Sequence, residues 1–201
     1  MVRKMSSRMT EIAPVEYREE DYRDLRGLKD LPDALMEAHL KLYAGYVSNV
    51  NKLLHSLAGS DSGGLEWAEM QRRLGFEMNG MRLHELYFEN LIPGGHGVPR
   101  EIGESLSESW PSVAAWEKEF RAIGALRGVG WAILYRDPLT QRLSNHWISL
   151  HQDGHPTGFT PILVMDVWEH AFTGMERARY IDAFLSNVDW ETVESRLRTD
   201  H

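Results

Sequence analysis

Two long stretches of helical period joined by a short breaker constrain this chain more than any other feature. Residues 32–57, PDALMEAHLKLYAGYVSNVNKLLHSL, open on Pro32 and place Leu35, His39, Leu42, Tyr43, Tyr46, Val50 and Leu53 at three- and four-residue intervals. Residues 65–91, LEWAEMQRRLGFEMNGMRLHELYFENL, resume a helical period after the break AGSDSGG at 58–64, with interruptions at Gly75 and Gly80. Side chains three and four apart share one face of a helix. Each stretch therefore predicts an amphipathic helix, and the break between them predicts a helical hairpin.

Downstream the pattern changes. The turn-rich IPGGHGVP at 92–99 marks a boundary between two halves, and PSVAAWEKEFRAIGAL at 111–126 predicts a helix with Pro111 near its start and Gly128 just past its end. GVGWAILYRD, RLSNHWISL and TPILVMDV follow as three β-branched and aromatic runs, separated by DPLTQ and HQDGHPTG. They predict three strands, the first two a hairpin. Two last helices are expected at about 171–186 and 190–198, the second capped by Asp189. The class is α+β: a long N-terminal α-hairpin, then a domain with a three-stranded antiparallel sheet and flanking helices. The expected division is a charge-rich, extended or mobile segment over 1–30, the hairpin over 31–92 and the α/β domain over 98–201.

Composition narrows function by exclusion. With 201 residues, 42% hydrophobic and 26% charged, the chain has the balance of a globular protein with its own core. A net charge of −8 argues against nucleic acid and anionic membranes as partners, because both call for a concentrated basic face. The absence of cysteine removes disulfides, thiolate nucleophiles, iron–sulfur clusters and thiolate-rich zinc sites together. Apolar runs such as 160–167 fall well short of the roughly 20 residues that span a bilayer. Arg3, Lys4 and Arg8 are followed by no apolar core of a secretory signal, so a cytoplasmic protein is expected. Nine histidines direct attention to imidazole chemistry.

The sharpest local signal is DVWEHAF at 166–172, which sets Asp166 and His170 four residues apart just after an apolar strand. An ionised carboxylate buried there needs a hydrogen bond, an ion pair or a bound cation. Taken alone, the spacing is better explained by a satisfied structural pair than by metal. His39 and His84 each lie in the apolar stripe of one long helix, where a single histidine is as a rule a hydrogen-bonded core residue. One from each arm of a hairpin, however, is how two layers bring ligands to a common point. Three imidazoles and one carboxylate suit a first-row divalent or trivalent metal.

HLKLYAGYVSNVNKL, GMRLHELYFENL, GVGWAILYRD, HQDGHPTGFTPILVMDVWEHAF and YIDAFLSNVDWETVESRL together resemble the iron/manganese superoxide dismutase family over about residues 31–198, with DVWEHA the most specific block. The resemblance implies one Fe or Mn ion per subunit, held by His39, His84, Asp166 and His170, with solvent in the fifth position. It implies one-electron chemistry on superoxide, with zinc able to occupy the ligands but not to cycle electrons. Where many members place a glutamine four residues before the second ligand, this chain has Gly80, and His151, fifteen before Asp166, has the spacing of members that use histidine on the bound solvent. Gln152 is its neighbour and competitor for that role.

The substrate gate departs from the family. A second histidine four after the first ligand and a tyrosine eight after it are common, whereas here Tyr43 stands at +4 and Tyr46 at +7. Tyr46 is the candidate gate, with core packing as the alternative, and the shorter spacing is that of a helix without a π-type bulge. EHAFT places Thr173 where relatives carry a tyrosine that pairs across the subunit interface. Glu169 is kept, and the resemblance implies a homodimer in which it reaches the partner subunit's His170.

Trp131 and Trp168 are expected to wall the pocket, with Phe88 standing where many relatives have tryptophan. Trp67, Trp110, Trp116, Trp147 and Trp190 read as core or interface filler, and His55, His96, His146, His155 and His201 as surface residues. Arg82, Lys41, Arg177 and Arg179 are candidates for a positive entrance that offsets the net charge. The alternatives to a dismutase are a metal-binding or structural module of the same fold without turnover, and a different redox activity, such as peroxide chemistry, at the same metal.

Overall fold

The computed structural model describes residues 14–199, so Met1–Ala13, Asp200 and His201 lie outside the described residues. From Pro14 the chain runs without regular structure along the first helix. Asn51 grips it at two points, accepting from the Tyr17 N–H at 2.8 Å and donating to the Tyr17 carbonyl at 2.8 Å. Asn187 does the same to Lys29, at 2.7 and 2.8 Å.

Helix α1 (Asp33–Ala58) follows Pro32 and is α-helical throughout, with no π-type bulge. Its inward face is Leu35, Met36, His39, Tyr43, Val47 and Val50. The stripe read from sequence is corrected here: Leu42 is 43% exposed, because the buried ridge follows His39, Tyr43, Val47 and Val50. Helix α2 (Leu65–Glu89) returns antiparallel, packs on α1 and on the sheet, and buries Gly80, Met81, Leu83, His84, Tyr87 and Phe88.

Helix α3 (Arg100–Ser109) was not expected. In REIGESLSES only Ile102 and Leu106 are buried, and two apolar residues four apart are too few to show a period. Helix α4 (Val113–Gly124) takes its N-cap from Ser112, whose Oγ accepts from the Ala115 N–H at 3.1 Å. It is shorter than the expected 111–126.

Strands β1 (Gly130–Arg136), β2 (Leu143–Ser149) and β3 (Thr160–Asp166) form an antiparallel sheet in the order β2-β1-β3. Every residue of the central strand is buried. Gly130, at φ 156°, is the point of closest approach, since a Cβ there would stand 2.0 Å from the Ile148 carbonyl oxygen.

The helix expected over 171–186 begins only at 177. After β3 a 3-10 turn (Glu169–Phe172) ends where Gly174, at φ 82°, breaks the path. Helix α5 (Arg177–Ser186) and helix α6 (Trp190–Arg198) then close the chain. Asp189 caps α6 as expected, accepting from the Glu191 and Thr192 N–H groups. The core lies between the hairpin, the sheet and α4 to α6: α2 and α6 pack on β3, α4 packs on β1 and β2, and the 3-10 turn packs on α1. Asp166, at the end of β3, thus faces the hairpin.

Candidate metal centre

Four side chains from four elements converge at that junction. His39 comes from the middle of α1, His84 from α2, Asp166 from the end of β3 and His170 from the 3-10 turn, and one ligand atom of each lies within 4.8 Å of all the others. The Nε2 atoms of His39, His84 and His170 stand 3.1, 3.7 and 3.0 Å from Asp166 Oδ2. The other carboxylate oxygen, Oδ1, is fixed by the Trp168 backbone N–H at 2.7 Å. His39, His84 and Asp166 are fully enclosed, whereas the His170 side chain keeps 22% exposure.

Charge and tautomer suit a cation. Burial alone would raise the Asp166 carboxyl, but the His170 and His39 imidazoles outweigh it and hold the group far below the usual carboxylate range. Burial pushes His39 and His84 down, which favours their neutral forms. His84 Nδ1–H donates to the Gly80 carbonyl at 2.6 Å, so Nε2 carries the lone pair. Among the described residues that buried atom has no hydrogen-bond partner, and it faces a carboxylate. A lone pair aimed at an anion in a dry site is unfavourable until a cation stands between them. The donor set, nitrogen and oxygen without sulfur, is that of iron, manganese or zinc.

Aromatic side chains enclose the ligands. Trp131 lies edge-on to His84 with centroids 5.1 Å apart, Phe88 and Tyr87 flank His39 at 5.1 and 5.0 Å, and Trp168 stacks near His170 at 5.9 Å. Tyr46 lies over His84 at 5.0 Å. Its ring occupies the space left by Gly80, where a Cβ would stand 2.6 Å from Tyr46 Cδ1. The Tyr46 hydroxyl is 2.7 Å from His151 Nε2, and His151 Nδ1 accepts from Trp131 Nε1–H at 3.1 Å. His151 is buried and Gln152 exposed, with Gln152 Oε1 3.4 Å from the His151 backbone nitrogen.

Matching the chain to known proteins gives the family. Residues 99–196 match the family described as "Iron/manganese superoxide dismutases, C-terminal domain". "Superoxide dismutase [Fe]" of Aquifex aeolicus is 32% identical over 189 residues, covering 88% of this chain and 88% of the relative. "Superoxide dismutase [Mn]" of Haloarcula marismortui is 34% identical over 156 residues, 74% of this chain and 76% of the relative. "Superoxide dismutase [Fe]" of Pyrobaculum aerophilum is 32% identical over 169 residues, 80% of each chain. The chain belongs to the iron/manganese superoxide dismutase family. The three histidines and one aspartate are its single Fe or Mn site.

The two positions that depart from the family pattern, Tyr43 and Thr173, bond within the chain. Tyr43 is turned to the N-terminal segment: its hydroxyl donates to Glu85 Oε1 at 3.0 Å and accepts from the Glu20 N–H at 3.0 Å. Thr173 Oγ1 donates to the Glu169 carbonyl at 3.1 Å. Two histidines read as surface residues are half-buried. His146 Nε2 meets Ser144 Oγ at 2.9 Å, and His155 bridges Tyr135 and the His151 carbonyl.

Of the four expected entrance cations, Arg82 is paired with Glu85. Arg177 donates to the carbonyls of Leu126 and Gly128, Arg179 stands 3.9 Å from Asp30, and Lys41 lines a cleft beside Tyr22 and Arg26. Arg73, which the sequence reading missed, is a cation beside the Tyr46–His151 pair. Its guanidinium lies 4.2 Å over the Phe76 ring, itself 4.5 Å from His151, and its Nε donates to buried Glu77 at 2.6 Å. The one sequence signal was the Arg73–Glu77 spacing of four on a helix.

Proposed function

We propose that this enzyme converts two superoxide anions and two protons to O2 and H2O2, with Tyr46 and His151 as the groups that touch the substrate side of the metal. The observation that carries the reading is the convergence of three Nε2 atoms on Asp166 Oδ2 in an enclosed site. When bound, iron or manganese supplies one-electron cycling between its trivalent and divalent states, which takes an electron from one superoxide and gives it to the next.

The protein's part is to hold atoms and protons. The Gly80 carbonyl fixes the His84 ring with Nε2 inward, and the Trp168 N–H fixes the Asp166 carboxylate. Trp131, Trp168 and Phe88 keep bulk water from the ligands. Because Trp131 Nε1–H can only donate, His151 Nδ1 accepts and Nε2 carries the proton toward the Tyr46 oxygen. The Tyr46 hydroxyl proton is then free to point toward an incoming anion. Burial pushes the phenol up to about 12, so it keeps that proton across the physiological range. Tyr46 is only partly buried, which leaves it a route to recover a proton from solvent.

The same reading divides the chain into a hairpin unit over 31–92 and a second unit over 98–201, with the metal at their junction; the start of the family match at residue 99 supports that division. It also makes the enzyme a homodimer in which Glu169 approaches the partner subunit's His170. Exposed Glu169 and the 22% exposure of His170, the one ligand not enclosed, support this. We place the enzyme in the cytoplasm. Among the described residues no helix is long and apolar enough to cross a membrane, and the cysteine-free sequence has no disulfide for an oxidising compartment to form.

The test is superoxide consumption per bound metal for Tyr46→Phe and His151→Ala. Metal content stays near wild type and kcat falls about a hundredfold, at the low end of general acid–base effects. Unchanged kcat in both variants contradicts their roles.

A further inference from the structure

Leu150 adopts φ 53°, the left-handed region that a leucine rarely enters, and it immediately precedes His151. Such strain persists where surrounding bonds over-determine the backbone. Those bonds are present. The Ser149 N–H donates to the Asp153 carbonyl at 2.9 Å and the Asp153 N–H to the Ser149 carbonyl at 3.1 Å, while the Leu150 N–H donates to the Val129 carbonyl at 3.4 Å. His155 closes the turn from outside. Its Nε2 lies 2.9 Å from the His151 carbonyl oxygen and its Nδ1 2.7 Å from the Tyr135 hydroxyl.

The chemistry of the partners fixes each proton. A carbonyl only accepts, so Nε2 carries the His155 proton and Nδ1 accepts from the Tyr135 O–H. Tyr135 is 3% exposed and sits on the buried central strand, so its hydroxyl is a rigid anchor. Trp131 and Tyr135 lie on one face of β1 by the strand's period of two. One holds the His151 ring through Nδ1, and the other holds the His151 backbone through His155. Trp168, stacked on the His151 ring at 4.7 Å, fixes its plane.

We propose that His155 is a positioning residue for superoxide dismutation: anchored on Tyr135, it holds the strained Leu150–His151 backbone so that His151 Nε2 stays on the Tyr46 hydroxyl. His155 touches neither substrate nor metal ligands and acts through His151. The proposal rests on the roles given above to Tyr46 and His151.

The test compares the metal-loaded enzyme carrying His155→Phe, His155→Gln or Tyr46→Phe with wild type, measuring kcat and KM per bound metal. Phenylalanine fills the space without polar atoms. Glutamine supplies an N–H for the His151 carbonyl and an oxygen for the Tyr135 hydroxyl. His155→Phe should lower kcat about tenfold with kcat/KM changed far less, the pattern of a misplaced proton-handling group behind an intact metal site. His155→Gln should recover most of the loss. In zinc-loaded protein, nitrogen NMR of the histidines should show His151 as the Nε2–H tautomer in wild type and displaced or broadened in His155→Phe. Wild-type kcat in His155→Phe beside a reduced kcat in Tyr46→Phe overturns the positioning role alone, as does equal impairment of the Phe and Gln variants or an unmoved His151 resonance. Wild-type kcat in Tyr46→Phe overturns the underlying roles and the proposal with them.

Discussion

His151 Nε2 and the Tyr46 hydroxyl, 105 residues apart in the chain, meet at 2.7 Å beside the ligand histidines. The pair joins the hairpin to the sheet side of the protein at the point where the metal is held. Its strength depends on a neutral, enclosed imidazole, which gives a pH prediction.

Burial lowers His151 from 6.5 to about 4. Between those values the unfolded chain takes up a proton that the folded protein refuses, so stability rises with pH there. The contribution is complete above pH 6.5 and is lost as pH falls toward 4. Wild type should therefore lose about 2 kcal/mol more than His151→Gln between pH 7 and pH 5, read from urea midpoints. Equal losses in the two proteins would show that His151 titrates as a solvent-exposed histidine.

Gly80 is required by the Tyr46 ring. In Gly80→Ala the new methyl would stand 2.6 Å from Cδ1 and 2.7 Å from Cε1 of Tyr46, so the ring must leave its seat. Overpacking costs about 1–3 kcal/mol, offset by up to about 1 kcal/mol of helix propensity. Thermal melting should fall while metal content holds and kcat drops. A variant that is more stable and fully active would contradict the seating of Tyr46.

Arg73 opposes the net charge of −8 at the side of the site where Tyr46 and His151 meet. The second-order rate should fall as ionic strength rises, and Arg73→Gln should lower it about two- to threefold and flatten the salt dependence. The single variant also leaves Glu77, 2% exposed, with Asn49 Nδ2 at 3.2 Å as its remaining partner shown. Because the Arg73 side chain is 57% exposed and solvent screens the pair, it should lose only about 1 kcal/mol of stability, which the double variant with Glu77→Gln largely restores. An unaltered salt dependence in both variants would remove Arg73 from substrate steering.

His84→Ala should bind neither iron nor manganese at wild-type stoichiometry and should lose activity with the metal, because Nε2 is the ligand atom that lacks any other partner among the described residues. Metal analysis of the dialysed variant checks this. Retention of both metal and activity would sink the assignment of His84.

Much of this was legible from residue spacing. The hairpin, the three strands and Asp189 as a cap follow from local period and turn chemistry, and His39 and His84 stand on the inward faces of helices the sequence predicts. What was hidden depends on depth and distance. Leu42 and Val47 are both apolar in α1, and only the packed partner decides that Val47 is buried and Leu42 exposed. Helix α3 has too little apolar surface to announce itself, its burial resting on Ile102 and Leu106. His155 reads as a loop histidine because its partners, Tyr135 and the His151 carbonyl, come together only once β1 and the 149–155 turn are in place. Arg73 falls beside the site through the rotation of α2, which no local pattern specifies.

The most direct measurement is elemental analysis of protein purified without added metal, with superoxide consumption assayed on the same sample. The structure predicts near-stoichiometric iron or manganese per subunit and activity proportional to it, restored by reconstitution after chelation. Neither metal nor activity after reconstitution with each ion would contradict the account, and bound metal without superoxide turnover would show a different chemistry at the same four ligands.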